Sequence, residues 1–280
     1  MVTRFRSREK SGGYGMLLPF AIIAVILIII PLALIIIKSI APAPGYSFSD
    51  NWNYIGMFIW EKILYSFWIA LATTAICIVI SYPFAYFLSV SKNKVYKTAV
   101  VFIVTAPIWT SFLVKLIGLK TFFDLINGYQ NSTYGSIWTI IGLVYVFIPF
   151  MILPLFSVLD DMPKNIVWAS LDLGRTQVQT FMRVVLPYTK TALISGITLV
   201  FLPSLTTVAV PQFLNNSPDG SMICDIIVQE GSLAPVSAIS LARASSLSLL
   251  LSILMVGGYV LMLLSTKGIG KIIRKRREYA

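Results

Sequence analysis

The sequence predicts an all-α membrane protein whose chain crosses a bilayer about six times, and three observations carry that expectation. The 280 residues are 57% hydrophobic and only 12% charged, with a mean hydropathy of +0.85, which is more apolar surface than one soluble core of this length can bury. The apolar residues gather into runs long enough to cross a hydrocarbon layer of about 30 Å. Between these runs, Lys and Arg collect in alternate connections, as they do when every second loop stays in the cytoplasm.

The elements follow in order. Residues 1–14 form a basic arm with Arg4, Arg6, Arg8 and Lys10. The first span, 16–37, carries no charge and would extend about 33 Å as a helix. It is longer than a signal-peptide core and no small-residue cleavage pattern follows it, so an uncleaved span is expected. Further spans are expected near 63–90, 97–118, 136–159, 192–214 and 238–265. Pro107, Pro203 and Pro211 interrupt the third and fifth. Lipid tolerates such prolines only where neighbouring groups or a water-filled path satisfy the freed carbonyls, so these helices should face the bundle interior. The transmembrane domain is thus expected over 15–266, followed by a basic tail over 267–280.

Orientation follows from charge. The N-terminal arm, the 92–97 connection, the 160–190 loop and the tail hold 17 of the 22 Lys and Arg, which places them, and both termini, on the cytoplasmic side of the membrane. The connections at 41–62, 119–135 and 215–237 then face outward, the last with Asp219, Asp225 and Glu230 and no basic residue. A net charge of +11 would suggest nucleic acid in a soluble protein, but here the charge flanks apolar runs and suits membrane lipid instead.

Several chemistries are excluded or unsupported. Without histidine, neither His acid–base catalysis nor His metal ligation is available. Cys77 and Cys224 lack metal-ligand spacing and read as small buried hydrophobes. Gly268-Ile269-Gly270-Lys271 lacks the Walker spacing. No catalytic residue, cofactor or metal site is expected.

The 160–190 loop is the most informative segment. Pro163 should open a helix that runs to Leu173, Gly174 should break it, and Thr176 with Gln179 has capping-box spacing for a second helix. Val178, Phe181, Met182 and Val185 are expected on one face of that second helix, with Pro187 ending it and handing the chain to the fifth span. Two short helices with a Gly turn and exposed apolar residues suit docking into a groove on another protein.

Here a family resemblance emerges. Trp168-Ala169-Ser170-Leu171-Asp172-Leu173-Gly174, then nine residues to Val184 and on to Leu186-Pro187, is similar to the EAA loop of prokaryotic permeases from ATP-binding-cassette importers. That pattern reads E-A-A, three residues, G, nine residues, I, one residue, L-P. Trp168 stands where the pattern has an acid and Ser170 where it has the second alanine. The likeness extends over most of the chain, through Asn53-Tyr54, Ser81-Tyr82-Pro83-Phe84-Ala85-Tyr86, Pro107-Ile108-Trp109-Thr110-Ser111, Gly142-Leu143-Val144-Tyr145 and Pro149-Phe150. As an ordered set these most resemble the polyamine (spermidine/putrescine) branch.

The resemblance implies the type I importer permease fold and a transport subunit that is not itself an enzyme. It also implies partners: two cytoplasmic ATPase subunits, a second homologous permease, and an extracytoplasmic substrate-binding protein. The coupling surface toward the ATPase would be Trp168, Ala169, Ser170, Asp172, Leu173, Gly174 and Pro187. A polyamine path needs ring faces and carboxylates, since a desolvated ammonium over an aromatic face gains about 0.5–2 kcal/mol. Candidates are Trp109, Tyr145 and Tyr86, with the outer acids Asp124 and Glu230. An importer for another solute such as an oxyanion shares the loop and would use Lys115, Lys120 or Arg243. A stand-alone secondary transporter would want ionisable residues at the membrane midplane and an internal repeat, and the sequence offers neither.

Overall fold

The computed structural model describes residues 19–20, 22–127, 135–215 and 220–278, with the side chains of Met57 and of residues from 261 onward left aside. Among them the chain is helical throughout. The elements are α1 (Ile22–Ile40), α2 (Phe48–Asn53), α3 (Met57–Val90), α4 (Lys94–Trp109), α5 (Phe112–Asn127) and α6 (Gly135–Asp160). Then come α7 (Lys164–Asp172), α8 (Gln177–Tyr188), α9 (Lys190–Thr206), α10 (Ala209–Leu214), α11 (Ile223–Ser232) and α12 (Ala238–Glu278). The basic arm and Asp219 lie outside the described residues.

Four helices are long and apolar enough to cross a membrane: α1, α3, α6 and the first part of α12. The number rises to six if the bent pairs α4–α5 and α8–α9 each count as one span. The expectation of a continuous third span over 97–118 is corrected: α4 and α5 meet at 95°. The helix carrying Pro107 stops at Trp109, and Thr110 turns extended. The fifth span is also interrupted. It begins at Lys190 and breaks at Thr207–Val208, before the short α10.

The chain divides into two compact units, one comprising the described residues up to Gly56 with those from Ile227 onward, the other Met57–Ile226. In the first, α12 packs on α1 and α2. The end of α1 is capped from α2, where the buried Asn51 donates through Nδ2 to Ser39 O at 3.3 Å and Ala41 O at 3.1 Å. Ser47 and Asp50 form the capping box that starts α2, which fixes the angle at which the chain leaves the span.

The second unit is built around α3 and α6, which pack on each other and on α9. One apolar cluster gathers Cys77, Tyr82 and Ala85 of α3 with Met151, Leu155 and Leu159 of α6, Val185 of α8 and Val200 of α9. A second holds Ile69, Leu116, Phe123, Leu143, Val210 and Leu214 at the opposite end of these helices. Close approach is permitted by small residues, as is usual between helices in lipid. A Cβ on Gly142 would collide with Leu214, and one on Gly196 would sit 2.6 Å from Met151 Sδ. At this second end Tyr65 Oη and Ser136 Oγ pair at 2.8 Å, and Asn215 donates through Nδ2 to Tyr65 Oη at 3.4 Å. These bonds tie α3, α6 and the end of α10.

Candidate functional site

The 160–190 segment forms as two short helices joined by a turn whose geometry is set by Gly174. Its φ is +79°, in the left-handed region that a residue with a Cβ adopts only at a cost. Gly174 N–H bonds Leu171 O at 2.8 Å and Arg175 N–H reaches Ser170 O at 3.4 Å, the paired bonds of a Schellman C-cap. Thr176 then starts α8: Gln179 N–H bonds Thr176 Oγ1 and Thr176 N–H bonds Gln179 Oε1, both at 3.3 Å. The capping box expected from the spacing is present.

The two helices are held together by one buried polar pair, Ser170 Oγ and Thr180 Oγ1 at 3.0 Å. Ser170 therefore points into the segment and not out of it. Facing outward are Trp168 (62% exposed), Leu173 (79%), Val178 (72%) and Met182 (58%), with Ala169, Asp172, Gly174 and Pro187 also exposed. The expected single apolar face of α8 is split. Val178 and Met182 are exposed while Phe181 is half-buried and Val185 fully buried, because residues Phe181–Val185 form a π-turn that changes the angular spacing of the side chains.

The same turn alters what Pro187 does. Leu186 N–H bonds Phe181 O across five residues, and the widened helix absorbs the donor that Pro187 lacks. Helix α8 thus continues through Pro187 to Tyr188. The break comes at Thr189, where α8 and α9 meet at 71°. Thr189 is buried, and its hydroxyl lies 3.0 Å from Val185 O. It also pairs with the hydroxyl of the buried Tyr82 on α3. The rings of Tyr82 and Tyr86 meet Phe181 edge to face, with centroids 5.1 and 5.8 Å apart.

Two lysines tie the segment's surroundings. Lys97 pairs with Asp160 and donates to Ser89 O at 2.8 Å, while Lys164 reaches Val90 O at 3.5 Å. Cations thus meet the negative end of α3, and the ends of α3, α4, α6 and α7 are joined.

The residues proposed to line a path are placed on separate elements. Trp109 ends α4 and is 80% exposed at the broken span. There the carbonyl of Pro107, orphaned by the helix end, accepts from Lys115 Nζ at 2.6 Å and from Thr110 Oγ1 at 3.0 Å. Lys115 is therefore a cap for α4. Tyr145 lies midway along α6 and is partly exposed. Tyr86 lies one turn from the end of α3, against Phe181. Asp124 is near the end of α5, and Lys120 lies one turn before it. Among the described residues of the second unit no hydrogen bond or ring contact joins any two of Trp109, Tyr145, Tyr86 and Asp124.

Glu230 belongs to the first unit, where it accepts from the Tyr54 hydroxyl while the Arg243 guanidinium stacks 4.7 Å over the Tyr54 ring. Burial, and then the Glu230 carboxylate, push the Tyr54 phenol above its ordinary value. In the second unit, burial raises the Asp225 carboxyl and holds the Cys224 thiol at about 11, so Cys224 is an inert buried thiol. Among the described residues no group of three His, Cys, Asp or Glu could hold a metal ion.

Sequence reasoning passed over Tyr82, Thr189 and the Ser170–Thr180 pair. The signal was present in part, since a tyrosine in an otherwise apolar span needs a partner for its hydroxyl.

Residues 81–279 match the family of binding-protein-dependent transport system inner membrane components. A protein of Mycoplasma genitalium named as a spermidine/putrescine transport system permease protein PotB homolog is 41% identical over 241 residues, covering 83% of this chain and 85% of that one. Its namesake in Mycoplasma pneumoniae is 38% identical over 97% of this chain and 98% of that one. Escherichia coli PotB is 38% identical over a shorter region, 52% of this chain and 57% of that protein. The fold is similar to a chain of a bacterial ABC transporter involved in the import of the acidic polysaccharide alginate, with TM-score 0.71 at 14% identity, over 96% of this chain and 99% of that one. The permease fold expected from the loop is thus found in the whole molecule, and the chain belongs to the family of binding-protein-dependent transport system inner membrane components.

Proposed function

We propose that this chain is the permease subunit through which an ATP-driven importer moves a polyamine into the cytoplasm. The observation that carries the solute is the pair of Mycoplasma relatives named for spermidine and putrescine transport, at 41% and 38% identity over most of the chain. The alginate importers share the fold at 14–15% identity and bear on architecture alone. Against an oxyanion path stands the engagement of two of the three candidate cations, Lys115 at the Pro107 carbonyl and Arg243 over Tyr54.

In this reading the 160–190 segment meets the ATPase through Trp168, Ala169, Asp172 and Leu173, with Gly174 setting the angle between its helices, Ser170 holding them together and Pro187 following on α8. The exposed apolar residues and the Schellman turn support that assignment. Two ATPase subunits, a second permease and an extracytoplasmic binding protein complete the machine. Both termini and the coupling segment face the cytoplasm. ATP-driven closure of the ATPases shifts the spans between outward-open and inward-open states, a population shift set by differential contacts in the two states. Trp109, Tyr145 and Asp124 of the second unit contribute to the solute's route; Glu230 is engaged by Tyr54 within the first unit, and Tyr86, offered for that route by sequence, serves the coupling segment through its contact with Phe181.

The assembly is tested by purifying the chain from its native membrane in mild detergent. An ATP-hydrolysing subunit in twofold excess and a second permease should copurify. A chain recovered without any ATPase, yet transporting in vesicles, would overturn the importer reading in favour of a stand-alone transporter.

A further inference from the structure

We infer that Tyr82 and Thr189 form the joint through which the coupling segment moves α3, so that the Tyr82 hydroxyl is a positioning group for transport and not only a packed side chain. The inference rests on the reading of 160–190 as the ATPase-coupling segment. It begins with hydrogen-bond supply. Thr189 has one hydroxyl proton, and Val185 O, at 3.0 Å, is an acceptor only. Thr189 therefore donates to Val185, and Tyr82 donates to Thr189. The pair is buried on both sides, where an unpaired hydroxyl is costly. A phenylalanine would fill the same space, so packing alone does not require the oxygen.

The position of the bond gives it a use. Thr189 is the residue at which α8 ends and α9 turns away by 71°, with φ −86° and ψ 4° outside the helical region. A hydrogen bond at that residue ties the bend to α3. Around it the rings of Tyr82 and Tyr86 hold Phe181 from two sides, at the first residue of the π-turn. One residue earlier, Thr180 is locked to Ser170 of α7. Specific contacts thus run without interruption from α7, which presents Trp168 and Leu173, through Ser170, Thr180 and Phe181 to Tyr82, Tyr86 and α3. Because α3 also packs against α6 and α9, a displacement of the coupling segment is delivered to three spans together. Coupling along such a run of contacts is read as an energy between its two ends.

The test uses the complete complex in proteoliposomes, with the binding protein loaded with spermidine and three variants: Tyr82→Phe, Thr189→Val and the double variant. Complex assembly, basal ATP hydrolysis, stimulation of hydrolysis by the binding protein, and labelled spermidine uptake are read for each. Both single variants should assemble and keep basal hydrolysis, while uptake per ATP hydrolysed falls about tenfold, the scale of one lost buried hydrogen bond. The double variant should be no worse than either single, as expected when both remove the same interaction. Unchanged uptake per ATP overturns the joint, as do losses that multiply in the double variant. Failure of Tyr82→Phe to assemble also overturns it, by making the hydroxyl a structural requirement. Gly174→Asp is run in parallel: normal transport by that variant with the ATPase bound removes the coupling-segment reading itself. Loss of ATPase binding and uptake in Gly174→Asp with normal uptake per ATP in Tyr82→Phe removes the joint alone.

Discussion

Gly174 is the residue on which the most can be staked. Its φ of +79° makes it a glycine by conformation, and open space surrounds the position a Cβ would take. Alanine there meets no clash, and its effect is the cost of a left-handed backbone, about 1 kcal/mol. Gly174→Asp adds a charge to the exposed turn, and the spans are untouched. Normal membrane insertion with loss of ATPase copurification and of uptake is expected, measured on purified complex and in vesicles. Trp168 tests the same surface by area. An exposed indole with no partner among the described residues becomes an anchor when covered, and truncating such an anchor commonly costs about 2 kcal/mol, roughly thirtyfold in affinity. Trp168→Ala should weaken ATPase binding by that order in a titration with the purified ATPase, and should leave the thermal stability of the isolated chain unchanged. Equal affinity would take Trp168 off the docking surface. Ser170 is the contrast: it stands two residues away in the same motif, but its buried bond to Thr180 gives it a part in holding the segment together. No spacing in the sequence separates these two roles, since burial depends on how α8 folds back over α7.

Among the elements, the caps were readable and the bends were not. Gly174, Thr176 and Gln179 announced a turn and a capping box because those interactions are local, made within four residues. The split face of α8 was missed because the π-turn at Phe181–Val185 shifts the register that a regular 3.6-residue pattern assumes. The third span was expected to run through Pro107. The structure stops it at Trp109 and turns 95°, and what stabilises the turn is a lysine eight residues from the carbonyl it caps. That lysine read as a free cation in the sequence. Lys115→Met should leave the Pro107 carbonyl short of a donor at membrane depth, costing about 1–3 kcal/mol. The expected result is a thermal midpoint lowered by several degrees in detergent, with uptake reduced. The neighbouring Trp109→Ala should lower uptake without that loss of stability, because an indole so exposed leaves no cavity behind. A wild-type midpoint for Lys115→Met would show the bend to be held by packing alone.

For the molecule as a whole, hydropathy carried most of the architecture, and the resemblance of the ordered motifs carried the solute, in agreement with the names of the relatives. Composition and span lengths anticipated a polytopic helical permease, and the loop pattern anticipated its family, because both depend on residues whose chemistry is fixed by the bilayer or by a turn. The proposed path was the least legible part. Its candidates came from five separate stretches, and only the fold could say that Tyr86 lies beside Phe181 and that Glu230 engages Tyr54. Orientation is checked by single cysteines: one introduced in the 215–237 connection should react with an impermeant reagent from outside, and one in the 160–190 segment only after permeabilisation, with Cys77 and Cys224 silent because both are buried. Reaction of the second cysteine in intact cells would reverse the topology. ATP-driven polyamine import through this chain is decided by uptake of labelled spermidine into proteoliposomes that hold the complete complex, with ATP inside and the binding protein outside. Uptake should require luminal ATP, be competed by unlabelled putrescine and be indifferent to sulfate. ATP-dependent accumulation of labelled sulfate with no uptake of spermidine would contradict it.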